Sequence, residues 1–236
     1  MSTLLLRLAA PLQSWGVDAK FDRRSTRSIP TKSGVIGLVA AALGRRRDEK
    51  IDDLQSLLFG VRVDQPGTLL RDYHTAKSTK SAYVTHRYYL SDAVFLAGLE
   101  GEETPLIEID TALRNPVFPL FLGRRSCPPE GNISLGIRTN KNLLEALQEE
   151  EWLISDWQRR KKTKCIHLPI VVEAGKGTGE VYYLRDNPIS FAQTHRKFGF
   201  RPVLEVEPKV VINYERQHAV WDDTTAHDPM QELRED

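Results

Sequence analysis

The stretch Phe121–Pro129, FLGRRSCPP, sets two adjacent arginines behind a glycine and a cysteine ahead of two prolines. Three chemistries suit that grouping. The first is a thiolate nucleophile at Cys127, since neighbouring guanidiniums lower a thiol pKa. It also needs a base, and no histidine is local. The second is a metal site. Neither Cys127 nor Cys165 has a CxxC neighbour, and none of the six histidines stands at HxxxH spacing with a cysteine partner. The third is a phosphate clamp. Gly123 permits a tight turn and close backbone approach. Arg124 and Arg125 offer forked donors suited to phosphate oxygens, and Pro128 and Pro129 stiffen the exit. The residues favour the clamp, and no metal or cofactor is expected.

Other candidate chemistry is weaker. GKGTG at Gly175–Gly179 lacks the Lys-Ser/Thr pair and helix of a phosphate loop and precedes a strand-like EVYYL, so it reads as a β-connection. Metal-free RNA cleavage needs an acid and a base around a 2′-hydroxyl, with cations on the phosphate. RDYHT supplies Arg71, Tyr73 and His74, but strand alternation puts Arg71 and Tyr73 on one side and His74 on the other. THRYY at Thr85–Tyr89 has the same defect. These segments read as a binding surface, not a catalytic pair.

Binding signals recur along the chain. Basic and aromatic residues adjoin at Arg71–Tyr73, at Arg87–Tyr89, around Trp15 and in HRKFGFR at His195–Arg201. Cations for phosphates interleaved with flat rings for unstacked bases are what single-stranded nucleic acid requires. The overall charge of +1 conceals a partition: residues 1–47 carry nine bases against Asp18 and Asp22, while Trp221–Asp236 carries six acids and one arginine. A polyanion-seeking surface and an acidic one follow.

The elements that must position these residues are legible in outline. The 236 residues suit one large domain, and two cysteines are too few for a disulfide framework, which fits a reducing cytoplasm. TLLLRLAA reads as a core strand and not a targeting segment, and no apolar run approaches a membrane span. TKSGVIGLVAAALG reads as a helix capped by Thr31 or Ser33 and closed by Gly44. A second helix is expected over Ile51–Phe59, a strand over GVRVDQ, and a long hairpin over about 69–99 with the polar tip KSTKSA. TPLIEIDTALRNP is a helix stopped by Pro116, NLLEALQEE another, and HLPIVVEA, EVYYLRD and RPVLEVEPKVVINYE are strands. This order predicts an α+β fold close to a ferredoxin-like βαββαβ unit, with its helices on one side of the sheet.

Six segments in order resemble one family: LLLRLAAPLQSWG, RSIPTKSGVIGLVAAALGRRR, LRDYHT, HRYYLSDAVF, PLFLGRRSCP and DNPISFAQTHRKFGFRPV. They are similar to the CasD subunits of Cascade, the type I-E CRISPR surveillance complex. The resemblance implies a RAMP fold: a ferredoxin-like core over 1–136 with a hairpin thumb at about 69–99, a β-rich extension over 137–214, and an acidic tail over 215–236. It implies a non-catalytic subunit that caps the crRNA 5′ handle. Its partners would be the backbone subunit, the large PAM-recognising subunit and, through the assembled complex, target DNA. Relatives of the I-C subtype cleave precursor crRNA themselves; the I-E pattern here implies no nuclease. The expected RNA-binding set is Gln13, Trp15, Arg24, Arg27, Lys32, Arg45, Arg46, Arg47, Tyr73, His74, Arg87, Gly123, Arg124, Arg125, Ser126 and Cys127.

Overall fold

A strand buried on both faces must be apolar throughout, and Ser2–Ala9 (β1) meets that demand: all its residues except Arg7 are buried. This computed structural model describes residues 1–16, 23–77, 81–174 and 180–215. The GKGTG loop, the hairpin tip at 78–80, and the tail from 216 onward lie outside them.

Chain order after β1 runs through two short strands, Leu12–Gln13 (β2) and Arg23–Arg24 (β3), into the helix Lys32–Ala42 (α1). Thr31 Oγ1 accepts from the Gly34 amide at 3.2 Å, and Gly44, at φ +77°, ends the helix. The expected helix at Ile51–Phe59 is a single turn, Asp52–Gln55 (α2). Leu58–Gln65 is already strand β4, because Phe59 is claimed by its pairing with Leu99 in the sheet. The hairpin arms are Thr68–Lys77 (β5) and Ala82–Ser91 (β6), and Asp92 turns the chain at φ +57°. Val94–Gly101 (β7) is a separate core strand, so the arms stop at Ser91 and not Leu99. There follow Glu103–Arg114 (α3), Ser134–Arg138 (β8), Leu143–Glu149 (α4), Asp156–Arg160 (α5), Cys165–Glu173 (β9), Tyr182–Ser190 (β10) and Lys197–Ile212 (β11).

Seven strands form one antiparallel sheet in the order β10-β11-β9-β4-β7-β1-β8. The C-terminal strands are therefore continuous with the N-terminal ones through β4 and β9. Alternation along β1 divides the core. Leu4, Leu6 and Leu8 pack with α1 and α3, whereas Leu5 packs with Leu143, Ala146 and Leu147 of α4. Helices thus cover both faces, not the single face expected. The sequence pattern concealed this because α4 is short and covers only the middle of its face.

Hydrogen bonds to backbone groups from two buried ion pairs join the halves. Arg62, fully buried, uses five donor contacts on Asp64 and the carbonyls of Leu147, Glu150 and Glu151, holding α4 and the following segment to β4. Asp186 of β10 accepts from Arg201 of β11 at 2.6 and 3.0 Å and from the backbone amide of Lys32 at 3.0 Å.

A second, smaller sheet grows from one end of the first. In it β6 pairs along its length with β5, and on its other edge with β2 and then, in parallel, with β3.

Candidate nucleic-acid interface

The Phe121–Cys127 loop is seated on the chain that leaves β2. Ser14 donates its amide to the Leu122 carbonyl at 3.1 Å, and the loop closes through Leu122 N to Cys127 O at 2.8 Å and Cys127 N to Arg124 O at 2.9 Å. Gly123 adopts φ +87°, and a Cβ there would stand 1.6 Å from the Ser14 carbonyl oxygen. Only glycine allows this approach. The loop therefore delivers Arg124 to one place: its guanidinium lies 4.6 Å from the centre of the Tyr89 ring, and Nη2 donates to the Arg24 carbonyl at 2.9 Å. Among the described residues, Arg124 Nη1 and Arg87 Nε are buried without an acceptor. Buried guanidinium N–H groups left unpaired cost free energy, and an incoming acceptor would remove that cost. Burial pushes the Tyr89 phenol up, but hydrogen bonds from Ser126, Arg124 and Arg87 outweigh it and hold the group below its ordinary value.

The opposite side of β6 carries a second basic and aromatic group. Arg23 lies 5.3 Å from the Tyr88 ring centre and donates to its hydroxyl at 3.2 Å. Arg71 Nε approaches His86 Nδ1 at 3.4 Å, and Tyr73, directly across from His86, is 69% exposed. His74 lies on the other side of β5 with Asp72, at 2.5 Å.

The family described as CRISPR-associated protein (Cas_Cas5) matches residues 3–204, from β1 into β11. The chain belongs to that family. It is 38% identical over 191 residues to CRISPR system Cascade subunit CasD of Escherichia coli (strain K12), covering 71% of this chain and 85% of that protein. Two solved structures are similar. "Crystal structure of Cas protein" is 39% identical with a TM-score of 0.68, over 90% of this chain and 96% of that one. "CRISPR RNA-guided surveillance complex" is 33% identical with a TM-score of 0.71, over 89% and 91% respectively.

In this Cas5-family chain the sequence-predicted residues divide. Arg87, Arg124 and Ser126 come together around Tyr89, Arg24 joins them through its backbone carbonyl, Gly123 seats the loop, and Arg125 next to Arg124 is exposed. Arg27, half-buried, donates its amide to the Trp15 carbonyl at 3.1 Å beside them. Tyr73 and His74 stand on the hairpin, on opposite sides. Four side chains expected in the interface are buried, and a fifth, Arg45, is committed to an ion pair at the surface. Gln13 is fully buried, donating to the Leu8 and Ala93 carbonyls and accepting from Trp15 Nε1 at 3.1 Å. Trp15 is 1% exposed and lies against Gly34, so its ring packs α1 and is not offered to a base. Lys32 is buried on Glu173 at 3.0 Å, with burial holding its ammonium pKa below the ordinary value despite that carboxylate. Arg45 forms a two-pronged pair with Asp53 at the start of α2. Cys127 lies in the core, 1% exposed, where burial pushes its thiol pKa up.

Arg46 and Arg47 are exposed, beyond the far end of α1 from Trp15, an 11-residue helix of roughly 16 Å. Arg47 lies near Arg196, whose pKa burial and that charge lower. Arg23 was missed by sequence reasoning, although it adjoins Arg24; Tyr88, Tyr89 and Arg71 were read as binding signals without being placed in the site. Among the described residues no group of three or more His, Cys, Asp or Glu could hold a metal ion, and no helix is long and apolar enough to cross a membrane.

Proposed function

We propose that this chain is a non-catalytic RNA-binding subunit of a Cascade-type CRISPR surveillance complex. It caps the 5′ handle of the crRNA and contacts the backbone subunit and the large PAM-recognising subunit, meeting target DNA through the assembled complex. One observation carries the RNA reading: a glycine-seated loop holds Arg124 against Tyr89 and the Arg24 carbonyl, its neighbour Arg125 is exposed, and among the described residues Arg124 Nη1 and Arg87 Nε have no acceptor. A phosphate supplies acceptors in the geometry a guanidinium fork matches. The similarity to a Cascade subunit and to a structure described as a surveillance complex supports the assembly. We read β1-α1-β4-β7-α3-β8, with strands ordered β4-β7-β1-β8, as the ferredoxin-like core, and β5-β6 as its thumb.

The test is the salt dependence of binding to handle RNA. Replacing Arg124 and Arg125 with Ala should flatten the slope of log affinity against log salt by about one to one and a half. An unchanged slope removes both arginines from the interface.

A second reading has one favouring observation: Tyr73, His86 and Arg71 share one face of the hairpin, as a metal-independent endoribonuclease acting on repeat RNA would need. Incubation with repeat RNA in EDTA separates the two. Cut products that vanish with a 2′-deoxy nucleotide at the scissile position favour the enzyme; intact RNA favours the binding subunit.

A further inference from the structure

On the α4 face of the large sheet, α5 and the turn after it carry Arg159, Arg160, Lys161, Lys162 and Lys164 against one acid, Asp156. Elsewhere many surface cations are paired: Arg7 with Glu130, Arg45 with Asp53, Arg114 with Asp110, Arg138 with Glu150, Lys141 with Glu149. Arg159 follows that habit, donating to the Trp152 carbonyl at 2.6 Å and lying near Asp156 and Glu215. Arg160, Lys161, Lys162 and Lys164 do not; among the described residues none has a carboxylate within 4.0 Å. Four cations in five positions without a carboxylate partner among the described residues repel one another and favour an anionic partner.

The chemistry of the neighbours narrows that partner. Trp157 stands among the cations 65% exposed, with Lys161 Nζ 3.6 Å from its ring centre. Beside the turn opens a cleft of about 370 Å³ lined by Trp152, Arg159, Lys209 and Tyr214 together with two acids, Glu151 and Glu215, and Tyr214 is 69% exposed. Cations interleaved with exposed rings suit single strands, whose bases have free faces. A duplex offers phosphates without base faces, and an acidic protein surface leaves the rings unused.

We propose that the α5 turn and the adjoining cleft form a second contact for single-stranded nucleic acid, with phosphates on Arg160, Lys161, Lys162 and Lys164 and unstacked bases on Trp157 and in the cleft. The two contacts share one end of the sheet. Ala9 and its partner Val94 pack with Trp152, Ile154 and Leu168 on the α5 side. The adjacent Leu8 and Phe95 face the α1 side, which also holds Trp15 and Tyr89. A strand that rounds this end touches both. The inference does not rest on the handle assignment.

The experiment compares the full chain with K161A/K162A/K164A and with W157A, using fluorescein-labelled U20, dT20 and a 20-bp DNA duplex over a salt series. Thermal melts check folding. The triple variant should flatten the single-strand salt slope by about two, and W157A should weaken U20 and dT20 about five-fold or more while leaving the duplex unchanged. Adding R124A/R125A should lower the slope further, so that loss of either contact is read independently. An unchanged slope in the triple variant overturns the proposal. So does an equal W157A effect on duplex and single strand. Loss of a co-purifying protein subunit with nucleic-acid binding intact assigns the patch to a protein and overturns it as well.

Discussion

Replacing Gly123 with Ala tests how the arginine loop is held, and Gly131 provides its control. Both glycines have positive φ, +87° and +69°, so each Ala substitution carries the left-handed penalty of about 1–2 kcal/mol. Their surroundings differ. A Cβ at 131 meets nothing nearer than Arg7 Nη1 at 3.9 Å, whereas a Cβ at 123 falls 1.6 Å from the Ser14 carbonyl oxygen. That overlap is with backbone and cannot be relieved by a rotamer change, so the loop must move away from Ser14. Forcing such a shift in packed structure costs about 1–3 kcal/mol more. At about 2–4 °C per kcal/mol for a domain of this size, G123A should melt about 2–12 °C below G131A by scanning calorimetry. The same shift draws Arg124 off Tyr89 and the Arg24 carbonyl. G123A should therefore weaken RNA binding at low salt while G131A binds as the unaltered chain. Equal melting temperatures and equal affinities for the two variants would refute the reasoning that this loop is clamped on Ser14.

Other outcomes follow from the interior. R201A leaves Asp186 buried with only the Lys32 amide as partner, and should cost about 3–5 kcal/mol in denaturant unfolding. Iodoacetamide at neutral pH should label Cys165, which is exposed, and spare Cys127 until the chain is unfolded. Arg45 holds the Asp53 carboxyl below the ordinary carboxylate range, so this pair stabilises the fold above the unfolded-state pKa of Asp53 and is lost as pH falls through the depressed value. D53N should lower the melting temperature slightly at pH 7, by at most about 1 kcal/mol equivalent, and not at all at the acid end. R45A should share that stability loss and leave the RNA salt slope unchanged, because its charge is already committed to Asp53.

Much of the fold was legible because its signals are local. Thr31 and Gly44 bracket a helix, Pro116 stops another, and the TLLLRLAA run can only be a buried strand. The failures were tertiary. Leu54, Leu57 and Leu58 have helical spacing, yet β4 begins at Leu58 because strand β7 offers Phe59 a partner. Val94–Gly101 continues the β-prone composition of the hairpin, and only Asp92 marks the break between arm and core strand. The site was legible in residue type but not in orientation. Cationic residues look alike in sequence; Lys32 and Arg45 are internal or paired because Glu173 and Asp53 face them, and Glu173 is 141 residues from Lys32. Trp15 reads as a stacking ring beside a basic loop, but Gly34 three residues after Thr31 leaves the space its indole fills.

The central claim is that a single strand of RNA lies across β6 and the Gly123 loop. Photo-crosslinking of handle RNA carrying 4-thiouridine, in the chain together with its partner subunits, with the attached peptides mapped by mass spectrometry, measures this directly. Crosslinks to peptides spanning Arg23–Arg27, His86–Tyr89 and Gly123–Cys127 are the predicted result. Crosslinks confined to Arg45–Arg47 or to other surfaces, with these three segments clean, would contradict it.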